Sequence, residues 1–399
     1  MRLDRRLGFP WTIEAPHPPE PQPSSESMRS AADASSSWSG NAESASRPGL
    51  LTVALVFLAA TLVLGLAGLS ASEGLLAWDV RFAYLPAAEA VLHGDSPYPA
   101  LDDPILEDQK GYVYTPQLLL ALVPLTPLPV GVVSVLVAAV MVALLGLTLR
   151  VLDVRDPRCY AAALLWAPSM SGVLLSNVSI PLALALAVTW RCRNAVWPPA
   201  LAIGLSVSAK LLFWPMFVWM LATRRIRSTL LALAVGLGVT ALAWAAIGFD
   251  GLGGYPDLVR RLSDIQAARS YSIVGMAATA GLGEGIGEAA AVAVGIALLA
   301  GCIAFARRGD DFRSFTCAVA ATLALSPIVW LHYLVALLVP LAIARPRFSL
   351  IWLLPVLLWV SPKPGYAEGY EAFVPAIAAI LLLSVLLARP GGSAKGAPA

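Results

Sequence analysis

Charge is what this chain has least of. Only 13% of its 399 residues are Asp, Glu, Lys or Arg, while 58% are hydrophobic. A soluble protein carries about a quarter charged residues, so the shortfall, with repeated long apolar runs, excludes an ordinary soluble domain. It points to an all-α integral membrane protein. A net charge of +2 makes no case for nucleic acid, because the basic residues lie in small clusters between apolar runs and form no patch. Cysteine is scarce as well. Cys159, Cys192, Cys302 and Cys317 lie in or beside apolar segments without metal-ligand spacing, which argues against a disulfide framework. No Walker A motif, Cys/His box or Asp-x-Asp pattern occurs, so neither a metal nor a cofactor is expected. "GLGEGIGE" at 281–288 imitates a nucleotide loop but follows no strand, and reads as a flexible lead-in to a helix. No apolar h-region follows Arg2, Arg5 and Arg6, so no secretory signal is expected.

Residues 1–48 are rich in Pro, Ser, Ala and Glu and cannot bury enough surface to offset their chain entropy. They are expected to form a disordered cytoplasmic tail, and Met28 is an alternative start. Residues 49–389 form the membrane domain, and 390–399 a flexible C-terminal tail. Within the domain, arginines cluster at Arg47, Arg150–Arg158, Arg191–Arg193, Arg224–Arg227, Arg307–Arg313, Arg345–Arg347 and Arg389. The positive-inside rule puts these clusters in the cytoplasm. Segments 159–190, 194–223 and 314–344 have basic residues at both ends, so each should leave the cytoplasm and return. Roughly 30 residues of helix cover about 45 Å, whereas two crossings need roughly 60 Å. These segments are therefore expected to be hairpins of short, broken helices. Spans at 50–71, 127–149, 228–249, 287–306, 348–360 and 372–388 complete about 12 crossings with both termini inside. The loop at 73–115 holds eight acids against Arg81 and Lys110, which places it outside. It should contain a helix over 80–92, bent or started at Pro86 and stopped by Gly94. The piece at 116–125 is too short to span and should lie in the interface.

The polar interruptions of the three hairpins are Ser176-Asn177, Lys210 and His332. All fall at the outer turn, level with Asp79 in the loop, and ionisable groups in such segments are functional candidates by default. Each has a plainer reading. Lys210 can snorkel to the interface or bind a phosphate. His332 can be a satisfied structural group, Asn177 a packing or capping group, and Asp79 the N-cap of the helix that follows it. Tyr84, Tyr98, Tyr114 and the other loop aromatics suit an interfacial belt, and equally stacking against sugar rings.

The order of features resembles the GT-C glycosyltransferases, most closely glycosyltransferase family 87, which includes polyprenol-phosphate-mannose-dependent mannosyltransferases. "WDVRFAYLPAAEAVLHGDSPYP" and "GYVYTPQLLLALVPLTPLP" look like the family's first outer loop, "SAKLLFWP" like its lysine segment, and "SPIVWLHYLVALLVPLA" like its Trp-x-His segment. The departure is "SNVS" at 176–179, where the family often has Gly-Gln-x-Asn. The resemblance implies a GT-C-like bundle with a helical extracytoplasmic first loop, in the plasma membrane, with its active site facing outside. It further implies inverting transfer of a sugar, with mannose the family expectation, from a polyprenyl-phosphate donor to a glycolipid or glycan acceptor. Asp79 would take the acceptor proton, and Lys210 and Arg81 would meet the donor phosphate. His332 would hydrogen-bond the phosphate or orient the acceptor. Tyr84, Tyr98, Tyr114, Asn177 and Trp330 would contact substrate. A role for Arg81 as the partner that keeps Asp79 ionised stays open. A secondary transporter also uses broken helices and buried ionisable groups, and a non-catalytic scaffold of envelope assembly is the third reading.

Overall fold

The structure is a computed structural model that describes residues 49–360, 371 and 373–388. The expected tails at 1–48 and 390–399 lie outside the described residues. These residues hold helices and no strand. Helix α1 (Leu50–Ser72) precedes a π-helical turn (Val80–Tyr84) that runs into α2 (Leu85–His93). Gly94 then ends α2 in the left-handed region, at φ 81°, a conformation that suits glycine. After a loop come α3 (Gln117–Leu122) and α4 (Val130–Val151). The segment at 116–125 holds a short helix that packs into the bundle. Leu119 of α3 is fully buried, and α3 packs on α2 and the π turn.

The expected hairpins are broken helices. In the first, α5 (Pro157–Leu165) and α6 (Ala167–Leu175) meet at Trp166, and α7 (Ser179–Arg191) returns. α6 and α7 are bent by 119° about Ser176, which sits at φ 53°. The second hairpin is α8 (Trp197–Ala209), an extended Lys210, a 3-10 turn (Leu211–Phe213) and α9 (Pro215–Ala222). Pro215 stands at the first helical position, where its missing N–H costs nothing. Then come α10 (Ile226–Ala246), α11 (Tyr255–Gln266), α12 (Ile273–Thr279) and α13 (Glu284–Arg307). The third hairpin is α14 (Asp311–Ala324), a 3-10 segment (Leu331–Leu337) and α15 (Leu338–Ala344). A 3-10 helix (Leu350–Val360) and α16 (Phe373–Ala388) close the order.

Among the described residues four helices, α1, α4, α10 and α13, are long and apolar enough to cross a membrane, or five spans if the bent α6–α7 pair counts as one. The other apolar helices are shorter. α1 buries only Ala59, packs one side on α5 and leaves most of its residues exposed, as a lipid-facing helix can.

In lipid no hydrophobic force drives helices together, so close packing of small residues must serve. α8 and α10 illustrate this. A Cβ on Gly204 would lie 2.7 Å from the Ala232 carbonyl oxygen, and one on Gly236 would lie 3.2 Å from the Gly204 carbonyl oxygen. The stretch at 281–288 leads into α13, which begins at Glu284, and only Gly287 within it is buried. A Cβ on Gly287 would come 2.8 Å from Val274 Cα. At the arginine-bearing ends of the hairpins, Asp311 accepts from Arg193 Nε (3.1 Å), Arg225 Nη2 (2.7 Å) and Trp219 Nε1 (3.0 Å). Both ends of the second hairpin are thereby tied to α14, which fixes where its apex falls.

Candidate active site

The apices of all three hairpins converge with the first loop on one cavity of about 1310 Å³. Among its lining residues are Asp79, Tyr84, Tyr114, Asn177, Lys210, Trp330, His332 and Tyr333. The structure thus brings together seven of the nine site residues expected from sequence: Asp79, Tyr84, Tyr114, Asn177, Lys210, Trp330 and His332.

Asp79 is not a helix cap. Its backbone is already helical, at φ −64° and ψ −40°, and its side chain makes no capping bond. Instead the first hairpin holds it from two sides. The N–H of Ala77, a residue in the left-handed region, donates to the Leu174 carbonyl at 2.7 Å, and the Asn177 Nδ2 amide donates to Asp79 Oδ2. Burial raises the Asp79 pKa from 3.8 to about 6. The Asn177 hydrogen bond, the Lys210 charge and the Tyr84 hydroxyl pull the other way. The π turn explains the Tyr84 contribution, since its wider turn brings residues five apart onto one side.

Lys210 breaks the second hairpin with its backbone at φ −153° and ψ 110°. Its Nζ is buried, has no hydrogen-bond partner and lies 3.4 Å from the centre of the Tyr333 ring. Thr115 fastens this apex to the loop by donating to the Ser208 carbonyl at 2.6 Å. His332, in the 3-10 segment of the third hairpin, is 4% exposed, and its Nε2 has no partner. Two buried nitrogen groups without partners beside a carboxylate are costly and suit a ligand that supplies anionic or hydroxyl oxygens.

Two expected residues do not reach the cavity. Arg81 is not among its lining residues. Its guanidinium lies over Phe82, 5.7 Å from the ring centre, and beside Gly74. Residues two apart on a helical turn face opposite ways, so the arginine points away from where Asp79 points. In this structure Arg81 neither lines the cavity nor pairs with Asp79. Tyr98 is also absent from the lining. It stacks on Trp244 at 5.5 Å and donates to the Tyr114 carbonyl at 3.0 Å, so it wedges the loop against α10. Nor do the loop tyrosines form an interfacial belt: Tyr84 and Tyr112 are buried and join Tyr98 and Tyr114 in one cluster of ring contacts.

Sequence reasoning missed Tyr333, which stacks under Lys210, and the whole of α11. α11 lends Tyr255, Val259, Leu262 and Gln266 to the cavity. Buried Gln266 donates to the carbonyls of Leu106 and Glu107 at 3.0 and 3.3 Å, tying α11 to the first loop. The helical spacing of Leu258, Leu262 and Ile265 was the available signal. A separate group of lining residues is apolar: Leu211 and Trp214 with Leu233, Gly236 and Leu237 of α10. Leu211 and Leu237 are each 71% exposed, so this side of the cavity meets the bundle's apolar surface.

A model of glycosyltransferase family 87 matches residues 112–329, more than half of the chain. The chain belongs to that family. Neither the curated proteins nor the solved structures contain a match. Membership makes the chain a membrane glycosyltransferase and selects that reading over the transporter and the scaffold. The matched stretch carries Tyr114, Asn177 and Lys210. Asp79 lies before it and His332 just after it, and the fold brings both to the same cavity.

Proposed function

We propose that this transferase moves a sugar, mannose being the expected one, from a polyprenyl-phosphate donor to a hydroxyl of a glycolipid or glycan acceptor. It does so with inversion, at the extracytoplasmic face of the plasma membrane, in a bundle of about 12 crossings with cytoplasmic termini. The observation that carries this reading is the meeting of the Asp79 carboxylate with the partnerless nitrogens of Lys210 and His332, in a cavity whose other side is apolar and open to the bundle surface.

The chemistry follows from those groups. The acceptor hydroxyl oxygen attacks the anomeric carbon from the face opposite the phosphate. Its O–H proton passes to the Asp79 carboxylate. The new C–O bond forms as the bond from the anomeric carbon to the phosphate oxygen breaks, and polyprenyl phosphate leaves with the electron pair. A phosphate monoester needs cationic and hydrogen-bonding stabilisation more than protonation, and Lys210 with His332 supplies it. The hydrocarbon of the donor suits the wall formed by Leu211, Trp214, Leu233 and Leu237. Tyr84, Tyr114 and Trp330 offer ring faces and hydroxyls to the sugar.

The test is transfer from radiolabelled polyprenyl-phosphate mannose to membrane lipid acceptors by the purified full chain. Asp79→Asn keeps the shape and hydrogen-bonding capacity but cannot take the proton, so a loss of about 10²- to 10⁴-fold is expected. Transfer by D79N at the wild-type rate would remove Asp79 from the mechanism.

A further inference from the structure

The first hairpin's apex holds Asp79 through a chain of hydrogen bonds that leaves Asn177 no capacity for substrate on its oxygen. We propose that Asn177 is a positioning residue that orients the Asp79 carboxylate, that Ser179 sets the direction of its amide, and that neither is a sugar ligand. The inference rests on Asp79 being the base.

Asn177 Oδ1 accepts two hydrogen bonds from the start of α7, from Ser179 N–H at 2.9 Å and Ser179 Oγ at 2.7 Å. An amide oxygen has two lone pairs, so both are taken. The backbone N–H can only donate, so the amide cannot turn over without placing its NH₂ against a donor and its oxygen against a carboxylate. With Oδ1 committed to α7, Nδ2 must face Asp79 Oδ2, where it is found. Asn177 is 1% exposed and Ser179 5%. The backbone agrees. Ser176 in the left-handed region and the Asn177 N–H on the Gly172 carbonyl at 3.0 Å hold the apex, and Ala77 docks on Leu174 two residues before the carboxylate. The amide thus pins one carboxylate oxygen, Oδ2. The other titratable groups lining the cavity are Tyr84, Asp108, Lys110 and Tyr114 from the first loop, Lys210 from the second hairpin, Tyr255 from α11, and His332 and Tyr333 from the third hairpin. None of them replaces the amide.

This makes Asn177 distinguishable from a substrate contact. A ligand to the sugar would, when removed, raise KM for donor or acceptor and leave the titration of Asp79 where it is. A positioning residue would lower kcat and move that titration. The direct readout needs no substrate. In infrared titrations of the detergent-solubilised full chain, the band of protonated Asp79 is identified by its disappearance in D79N. Its midpoint is expected near 6 in the wild type. Removing a hydrogen bond to a charged group in Asn177→Ala should raise it by about one pH unit. Asn177→Asp should raise it further, since two carboxylates in contact resist joint ionisation. Ser179→Ala keeps the N–H and loses the hydroxyl, so a smaller rise is expected, and Ser179→Thr should restore the wild-type midpoint.

In the transfer assay, N177A should lose roughly 10- to 100-fold in kcat with KM little changed. The acid limb of its pH profile should move up with the infrared midpoint. An unmoved Asp79 midpoint in both N177A and S179A, with D79N inactive, overturns the positioning role and leaves the base intact. An active D79N overturns the base reading itself, whatever the midpoints do. S179A and S179T are conservative enough to carry the test if N177A fails to fold.

Discussion

Replacing Lys210 by methionine is expected to make the protein more stable and inactive at once. The ammonium of Lys210 is buried with no hydrogen-bond partner, its chief contact being the face of Tyr333 at 3.4 Å. A desolvated group whose donors are unmet costs about 1–3 kcal/mol, and a cation over an aromatic face offsets about 0.5–2 kcal/mol of that. Methionine has a similar unbranched reach, carries no charge and makes favourable contacts with aromatic rings. The net gain in stability is therefore about 1 kcal/mol, or about 1–3 °C in melting temperature for a chain of this size. Transfer should move the other way, because the departing phosphate loses its cation, a loss of about 10²- to 10³-fold in kcat. Intrinsic fluorescence melts of wild type and K210M in the same detergent, beside the radiolabel assay, read both quantities. A melting temperature lowered by several degrees would refute the reasoning by showing that the cation, through Asp79 and Tyr333, stabilises the fold. Wild-type transfer by K210M would remove Lys210 from the phosphate site.

Other expectations concern pH, packing and a residue set aside. Transfer needs Asp79 ionised, so it should be present above about pH 6 and fall about tenfold per pH unit below it. Stability linked to this group runs the opposite way: its folded pKa lies above its ordinary 3.8, so its contribution is full below 3.8 and is lost as pH rises through about 6. Melting temperatures of wild type and D79N from pH 4 to 7 separate that trend from the rest of the chain, because D79N lacks it. Gly204→Val puts a Cβ 2.7 Å from the Ala232 carbonyl oxygen and must part α8 from α10. A cost of about 1–3 kcal/mol is expected, read as a lower melting temperature. Arg81→Ala should leave the donor KM within about twofold of wild type, since Arg81 does not line the cavity. A tenfold rise would return it to the phosphate site.

The broken hairpins were legible because each break is a chemical interruption of an apolar run: Ser176-Asn177, Lys210 and His332. The basic ends showed that each segment was too short for two straight crossings. The same breaks carried most of the site, since a polar group in such a run is costly and marks a functional candidate. What was not legible was the direction of side chains around the first loop. Arg81 stands two residues from Asp79 and seemed its natural partner, yet helical geometry turns it away. Tyr98 reads in sequence like Tyr84 and Tyr114, but the fold stacks it on Trp244 of α10, a contact across about 146 residues that no local pattern contains. α11 went unread because its mixed composition carries neither a membrane signal nor a motif.

By itself the sequence determined the class of protein, the positions of the helix breaks and the few ionisable groups worth suspecting. Those follow from the cost of polar groups in lipid, which acts residue by residue. Only the tertiary structure decided that Asp79, Asn177, Lys210 and His332 share one cavity, that Asn177 holds the carboxylate, and that Arg81 and Tyr98 stand outside. Each of these depends on how bent helices from distant parts of the chain pack, here through the close approach of Gly204 and Gly236 and the ties of Asp311 to both ends of the second hairpin.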